Sequence, residues 1–295
     1  MPERRVRLQA AALGYQAAWL IARKLPERTA TRLAEWTALK LWKRNEATRN
    51  RVARNLAPVV GEGPHLEQVT REAFKSYGRY WLETFRLQDM SSPELDKRFF
   101  TVGLENIEKA YAAGKGAVIA TMHLGNWDVA GRWVAERWPL VAVVEVLRPK
   151  KLFDKFVEHR RKLGMTIVPL VKGGDATAEC VRYLNEGRLI ALVADRDMSG
   201  SGIEVQMFGR RTKIPPGPAV MSLRTGAPLI PAVIYDRPDG TWIAHVTERI
   251  DGDENHDDPE AVRALTRKLA QSFEGLARRE PSQWHAMFQR YWIDE

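Results

Sequence analysis

Cysteine is nearly absent: Cys180 stands alone in 295 residues. One thiol forms no internal disulfide and no cysteine-based zinc cluster, and it fits a reducing compartment. Long apolar runs are short in supply too. Residues 8–22 (LQAAALGYQAAWLIA) span 15 positions, include two Gln and are bounded by Arg7 and Arg23. A bilayer-spanning helix needs about 20 apolar residues, so this run is too short. It lacks a small-residue cleavage site, so no secretory signal is expected. Repeats and low-complexity linkers are absent. With 44% hydrophobic and 28% charged residues, collagen-like, disordered and multi-span membrane classes are excluded.

Positive charge is present in excess, and it is local. The chain nets +9 from 46 Lys+Arg and 37 Asp+Glu. Residues 1–54 hold 13 basic and 4 acidic side chains, and the remaining residues hold 33 of each. The N-terminal segment is therefore a contact surface for something anionic. A second helical stretch, expected over residues 29–55, interleaves Leu33, Trp36, Leu39, Leu41 and Trp42 with Arg32, Lys40, Lys43, Arg44, Arg49, Arg51 and Arg54. Tryptophan beside Lys and Arg suits a lipid headgroup interface, because its ring is apolar and its one N–H stays wet. Ordinary solvated helices and a nucleic-acid surface are the alternatives. No helix-turn-helix, zinc-finger or RNP pattern accompanies the charge, so no nucleic acid is expected.

The chain changes character near residue 115. Before it, residues 71–87 place Phe74, Tyr77, Trp81 and Phe85 on one stripe at helical spacing. After it, β-rich runs at 117–122, 141–147, 166–170, 189–194, 229–235 and 242–247 alternate with helical stretches at 127–137, 152–163, 175–185 and 219–225, and residues 259–279 are again helical. Near-continuously apolar strands separated by helices predict an α/β fold, a central and mostly parallel (mixed) sheet flanked by helices. We expect one domain over residues 1–295. Its core covers residues 115–250, preceded by a basic amphipathic helical cap over residues 1–60.

Ligands of open α/β sheets bind beyond the carboxyl ends of the strands. There, His123-Leu-Gly-Asn-Trp-Asp128 follows one run, Glu145 and Arg148 another, and Asp195-Arg196-Asp197 a third. If Gly125-Asn126 turns the chain, the Asp128 carboxylate folds back on the His123 imidazole and His123 acts as a general base. A polar pair that caps a helix is the plainer reading. Asp195-Arg196-Asp197 is either a charge-paired turn or a site element that orients the base and binds an anion. His123, Asp128, Asp195 and Asp197 also have the hard ligand atoms of a metal-dependent phosphoesterase, although no familiar ligand pair marks a first set and no metal is expected. Residues 209–218 (GRRTKIPPGP) join three cations to a turn before a helix, a phosphate-binding pattern or a solvated loop. Arg160 and Arg161 follow similar logic.

His123-Leu-Gly-Asn-Trp-Asp128 resembles the H-x4-D/E motif of glycerolipid and lipid A acyltransferases. The block at 227–233 (APLIPAV) resembles their downstream Pro-containing strand. Residues 192–197, 202–205 and 208–209 are similar to the lipid A late-acyltransferase branch. The block at 79–83, with Glu145, Arg148, Pro149, Phe156 and Arg160, looks closest to members that acylate phosphatidylinositol mannosides. The blocks run in order over residues 10–292. This resemblance implies a glycerolipid-acyltransferase-like fold and a peripheral enzyme on the cytoplasmic face of the cell membrane, held there through residues 1–54. It implies transfer of a long acyl chain, palmitoyl for example, from acyl-CoA to a mannose hydroxyl of a phosphatidylinositol mannoside. Acyl-CoA is then a co-substrate, and no cofactor is needed. His123 is the implied base, Asp128 fills the motif's acidic place, and Glu145 and Arg160 surround the acceptor. The histidine's further acidic partner lies within Asp195–Asp197, with Asp195 preferred and Glu204 the alternative. Arg148, Arg196, Asp197 and Glu204 are further candidates for substrate contact. Another acceptor such as lipid A is the rival within the family, but lipid A enzymes usually begin with a spanning anchor, and residues 8–22 are too short to be one.

Overall fold

The apolar runs after residue 115 feed two cores at once, because neighbouring strand side chains point to opposite faces. In 117–120, Val118 and Ala120 join one cluster, and Ala117 and Ile119 join the other. The computed structural model of the chain describes residues 22–146, 149–171, 174–197, 200–252 and 258–294. The apolar run at residues 8–21 and Arg148 lie outside them.

Among the described residues, three helices come first: α1 (Glu27–Arg44), α2 (Glu46–Val60) and α3 (Pro64–Arg86). Next come α4 (Ser92–Arg98), β1 (Phe99–Val102) and α5 (Glu105–Ala112). The alternating part is β2 (Ala117–Thr121), α6 (Trp127–Ala135), β3 (Leu140–Glu145), α7 (Lys150–Lys162), β4 (Thr166–Leu170), α8 (Ala176–Asn185) and β5 (Leu189–Val193). A hairpin follows, β6 (Ile203–Met207) and β7 (Arg210–Ile214). The remaining elements are α9 (Gly217–Thr225), β8 (Leu229–Asp236), β9 (Trp242–Val246) and α10 (Pro259–Ala277). Short 3₁₀ turns at Pro281–Gln283 and His285–Phe288 lead to the C-terminal segment.

The main sheet has seven strands in the order β1-β9-β8-β2-β5-β3-β4. All neighbours are parallel except β8 and β9. β2, β3, β4, β5 and β8 therefore share one carboxyl edge. α8, α9 and α10 cover one face, and α5 and α6 cover the other. The sheet is the expected mixed, mostly parallel one with helices on both sides.

The sequence reading needs correction in three places. Residues 29–55 are not one helix: Asn45 ends α1, and its side chain accepts from Thr48 N at 3.1 Å to cap α2. β1 was not foreseen; four residues carry too little pattern until β9 supplies a partner. The cations at 209–214 do not form a loop before a helix, because Arg210, Arg211 and Lys213 stand on β7. Arg211 donates to Glu204 and Asp294 there.

α1 packs on α3 through small residues. Ala30 and Ala38 are buried, and a Cβ at Gly78 of α3 would sit 3.1 Å from the Ala34 carbonyl oxygen. The inner face of α1 is thus built from alanine, and its large apolar side chains point elsewhere. Leu33, Trp36 and Leu41 are 44%, 57% and 54% exposed. Trp42 is half-buried against the larger core. Among the described residues, no helix is long and apolar enough to cross a membrane.

Candidate active site

The site follows from strand register. β2 and β5 are parallel neighbours with Thr121 opposite Val193, and Ala194 N donates to Thr121 O at 2.8 Å. Two residues beyond each strand, His123 and Asp195 therefore come side by side. The His123 Nδ1 to Asp195 Oδ1 distance is 2.6 Å, and His123 N donates to Asp195 Oδ2 at 3.1 Å. Trp284 Nε1 donates to Oδ2 at 2.7 Å. Asp195 is fully buried, whereas the His123 side chain is 29% exposed. Burial alone would push the Asp195 carboxyl up. The adjoining His123 ring and the hydrogen bonds from His123 and Trp284 outweigh it and hold the group below the usual carboxylate range. With Nδ1 facing a carboxylate, Nε2 is the ring nitrogen left for chemistry.

Each residue of His123–Asp128 has its own task. Leu124 is buried and bridges to Trp284. Gly125 has φ +61°, and a Cβ there would sit 1.9 Å from the Ile234 carbonyl oxygen, so no other residue fits this turn. Asn126 caps α6: its side chain accepts from Val129 N at 3.2 Å and donates to Glu83 Oε2 at 2.8 Å. Trp127 sets its ring edge-on to His123 at 5.3 Å and stacks on Tyr80 at 4.3 Å.

Asp128 does not fold back onto His123. In the first turn of α6, adjacent side chains diverge by roughly 100°. Trp127 faces the imidazole, and Asp128 points towards α7. Its carboxylate receives Arg160 Nε at 2.6 Å and Nη2 at 3.1 Å, and Tyr80 Oη at 3.2 Å. Burial opposes the charge on Asp128, but Arg160 outweighs it and holds the carboxyl below its ordinary range. Burial likewise disfavours the Arg160 cation, and Asp128 more than compensates, raising the guanidinium. Arg160 is thus committed to Asp128, which bolts α7 to the His123 loop.

The other candidates separate. Glu145 ends β3 exposed, 3.9 Å from Arg196 Nη2, so these two share the rim beside the dyad. Asp197 accepts from Gly200 N at 3.0 Å and Gly202 N at 2.9 Å, so its carboxylate is engaged with backbone N–H groups. Glu204 is no partner of His123: it sits on the solvent face of the hairpin and accepts from Arg211 at 3.1 Å. His123 and Asp195 thus pair with each other, whereas Asp128 turns to Arg160 and Asp197 to backbone N–H groups. Among the described residues, no three His, Cys, Asp or Glu side chains converge as a metal-ligand set.

Sequence reasoning stopped short of the C-terminal segment. There, His285 N donates to His123 O at 2.6 Å, Gly125 N donates to Gln283 O at 3.0 Å, and Tyr291 Oη donates to Asp195 O at 2.9 Å. His285 is buried against Ser76, its Nε2 lying 3.0 Å from Ser76 Oγ, and burial lowers its pKa to about 3. The signal was an irregular stretch, 281–292, carrying two Trp, a Tyr and a His.

Fold and site together define a class: an α/β protein with a carboxylate-oriented histidine at the carboxyl edge of its sheet. The family model for bacterial lipid A biosynthesis acyltransferases matches residues 2–293, and the chain belongs to that family. It is 35% identical over 285 residues to a phosphatidylinositol mannoside acyltransferase of Mycolicibacterium smegmatis (strain ATCC 700084 / mc(2)155), covering 95% of this chain and 91% of the relative. A protein of the same name from Mycobacterium tuberculosis (strain CDC 1551 / Oshkosh) is 36% identical over 289 residues, covering 95% and 87%. The chain is an acyltransferase.

Proposed function

We propose that the enzyme transfers a long acyl chain, such as palmitoyl, from acyl-CoA to a mannose hydroxyl of a phosphatidylinositol mannoside, with His123 as general base. The observation that carries this reading is the partly exposed imidazole on a buried, triply hydrogen-bonded carboxylate. The curated relatives' names support the acceptor.

A sugar hydroxyl is too weak an acid to attack a thioester unaided. His123 Nε2 takes its proton as the oxygen attacks the thioester carbon, a contribution of about 10²–10⁴ in rate. Asp195 stabilises the imidazolium formed. Charge developing on the thioester oxygen is met by backbone N–H groups or by Arg196. The C–S bond then breaks, coenzyme A leaves as a thiolate, and the proton on His123 returns to it. The ester and free coenzyme A balance the reaction without a cofactor.

The same proposal places the enzyme peripherally on the cytoplasmic face of the cell membrane. Leu33, Trp36 and Leu41 stand exposed on α1 beside Arg32, Lys40, Lys43 and Arg44, and Lys40 Nζ lies 5.1 Å above the Trp36 ring. Each cation near an anionic leaflet contributes about 1 kcal/mol.

The test is thiol release from palmitoyl-CoA, with and without a phosphatidylinositol mannoside, in EDTA. Acceptor-stimulated release that disappears in His123→Ala is the expected result. Release indifferent to the acceptor points to another glycolipid such as lipid A. Release that His123→Ala retains, or that EDTA abolishes, overturns the mechanism.

A further inference from the structure

We propose that Trp284 is a positioning residue for the dyad: its indole N–H fixes the Asp195 carboxylate and, through it, the aim and proton affinity of His123. The inference rests on the reading of His123 as the base.

The donor count carries it. Among the described residues, the Asp195 carboxylate receives three hydrogen bonds, and two of them come from His123 itself, through Nδ1 at 2.6 Å and the backbone N at 3.1 Å. Those two move with the His123 loop, so they cannot hold the carboxylate against it. The third, from Trp284 Nε1 at 2.7 Å, comes from a segment 89 residues further along the chain. Trp284 is fully buried, so its N–H has no water to turn to.

The segment is itself anchored. Asn55 Nδ2 donates to Met287 O and Gln289 O, each at 2.7 Å, and Trp292 Nε1 donates to Asn55 O at 3.2 Å. Thr212 Oγ1 donates to Tyr291 O at 2.8 Å. Tyr291 sets its ring edge-on to Trp284 at 4.9 Å, with Oη on the Asp195 carbonyl. His285 N holds the His123 carbonyl from the next residue. One stretch thus grips both members of the dyad, and within it Trp284 alone reaches the Asp195 carboxylate.

Trp284→Phe keeps a flat apolar ring and removes the donor. Asp195 Oδ2 then retains one donor in a buried setting, which raises the carboxyl and moves the low-pH limb of kcat upward. We expect kcat to fall about tenfold, with KM for acyl-CoA and acceptor within about twofold and the limb displaced by roughly half a pH unit. A wild-type kcat and limb would overturn the proposal. So would a fall in kcat that is uniform with pH, since that reads as packing damage alone.

A second measurement needs neither the variant nor turnover. In the wild-type chain labelled with ¹⁵N, the assigned Trp284 indole N–H resonance should shift with the same midpoint as the His123 ring signals, and in His123→Ala that shift should vanish. A resonance that stays flat across the His123 titration overturns the coupling. If the wild type transfers no acyl group, the base reading fails, and the resonance still judges the link between Trp284 and the dyad.

Discussion

The two flanks of the His123–Asp128 loop bury carboxyl groups and treat them in opposite ways. On the front, Asp195 and Asp128 are held below the ordinary range. On the back, Glu83 and Asp236 are pushed above it. Burial raises all four, so burial is not what separates them. Asp195 has an imidazole and an indole, and Asp128 has a guanidinium. Glu83 has only the neutral donors Asn126 and Trp242. Both Asp236 oxygens are buried and accept no hydrogen bond, and the Glu83 charge raises the group further. Arg79 opposes both shifts, but its Nη1 donates to Glu35 at 2.7 Å instead. The lesson is that partners decide the charge of a buried acid. The loop is braced by carboxyls held below their ordinary range where chemistry is proposed and by carboxyls held above it behind.

Three substitutions sharpen or break this contrast. The largest effect is expected from Asp195→Asn, which keeps the shape and removes the charge. Acyl transfer should fall on the order of 10³-fold with little change in KM; a loss below threefold in a kcat assay would remove Asp195 from the mechanism. Next comes Arg160→Met. Leaving Asp128 buried and unpaired should cost about 3–5 kcal/mol in a denaturant titration, and Asp128→Asn added to it should restore much of the loss. A double variant no more stable than the single would show that the pair is not the brace.

The smallest effect is Asp236→Asn, and its sign is opposite. The unfolded chain releases this proton near pH 4, while the folded protein holds it to higher pH. Between those two points the folded state binds more protons, so stability falls as pH rises. Removing the group should therefore stabilise the protein at pH 8 and hardly at all at pH 4. Asp195 behaves in reverse: its contribution is present above the ordinary carboxylate range and lost as pH falls below it. Melting temperatures of Asp236→Asn that run parallel to wild type across pH would place an ionised Asp236 behind the loop and end the contrast.

Much of this was legible in the chain. The strands from 117 to 247 were marked by continuous apolar runs, because a parallel sheet covered on both faces must be apolar on both. One topological rule, that ligands bind where strands end, drew attention to His123, Glu145 and Asp195, and the structure places all three at the carboxyl edge of the sheet. The motif's acid was misread locally. Five residues from the histidine looks close in sequence, but the helical turn sends Trp127 and Asp128 in different directions. β1 and the β6–β7 hairpin were missed because a short strand draws its identity from its partner.

The sequence by itself determined the class of fold, the basic helices at the start and the histidine, since each depends on periodicity or on neighbours within a few residues. Only the tertiary structure decided which acid serves which base. Asp195 reaches His123 through the register of β2 against β5, Asp128 reaches Arg160 through the docking of α7, and Trp284 completes the set from near the end of the chain. Hydrogen bonds form between atoms about 3 Å apart wherever the chain brings them, and spacing along the backbone carries no record of contacts made 32, 72 or 89 residues away.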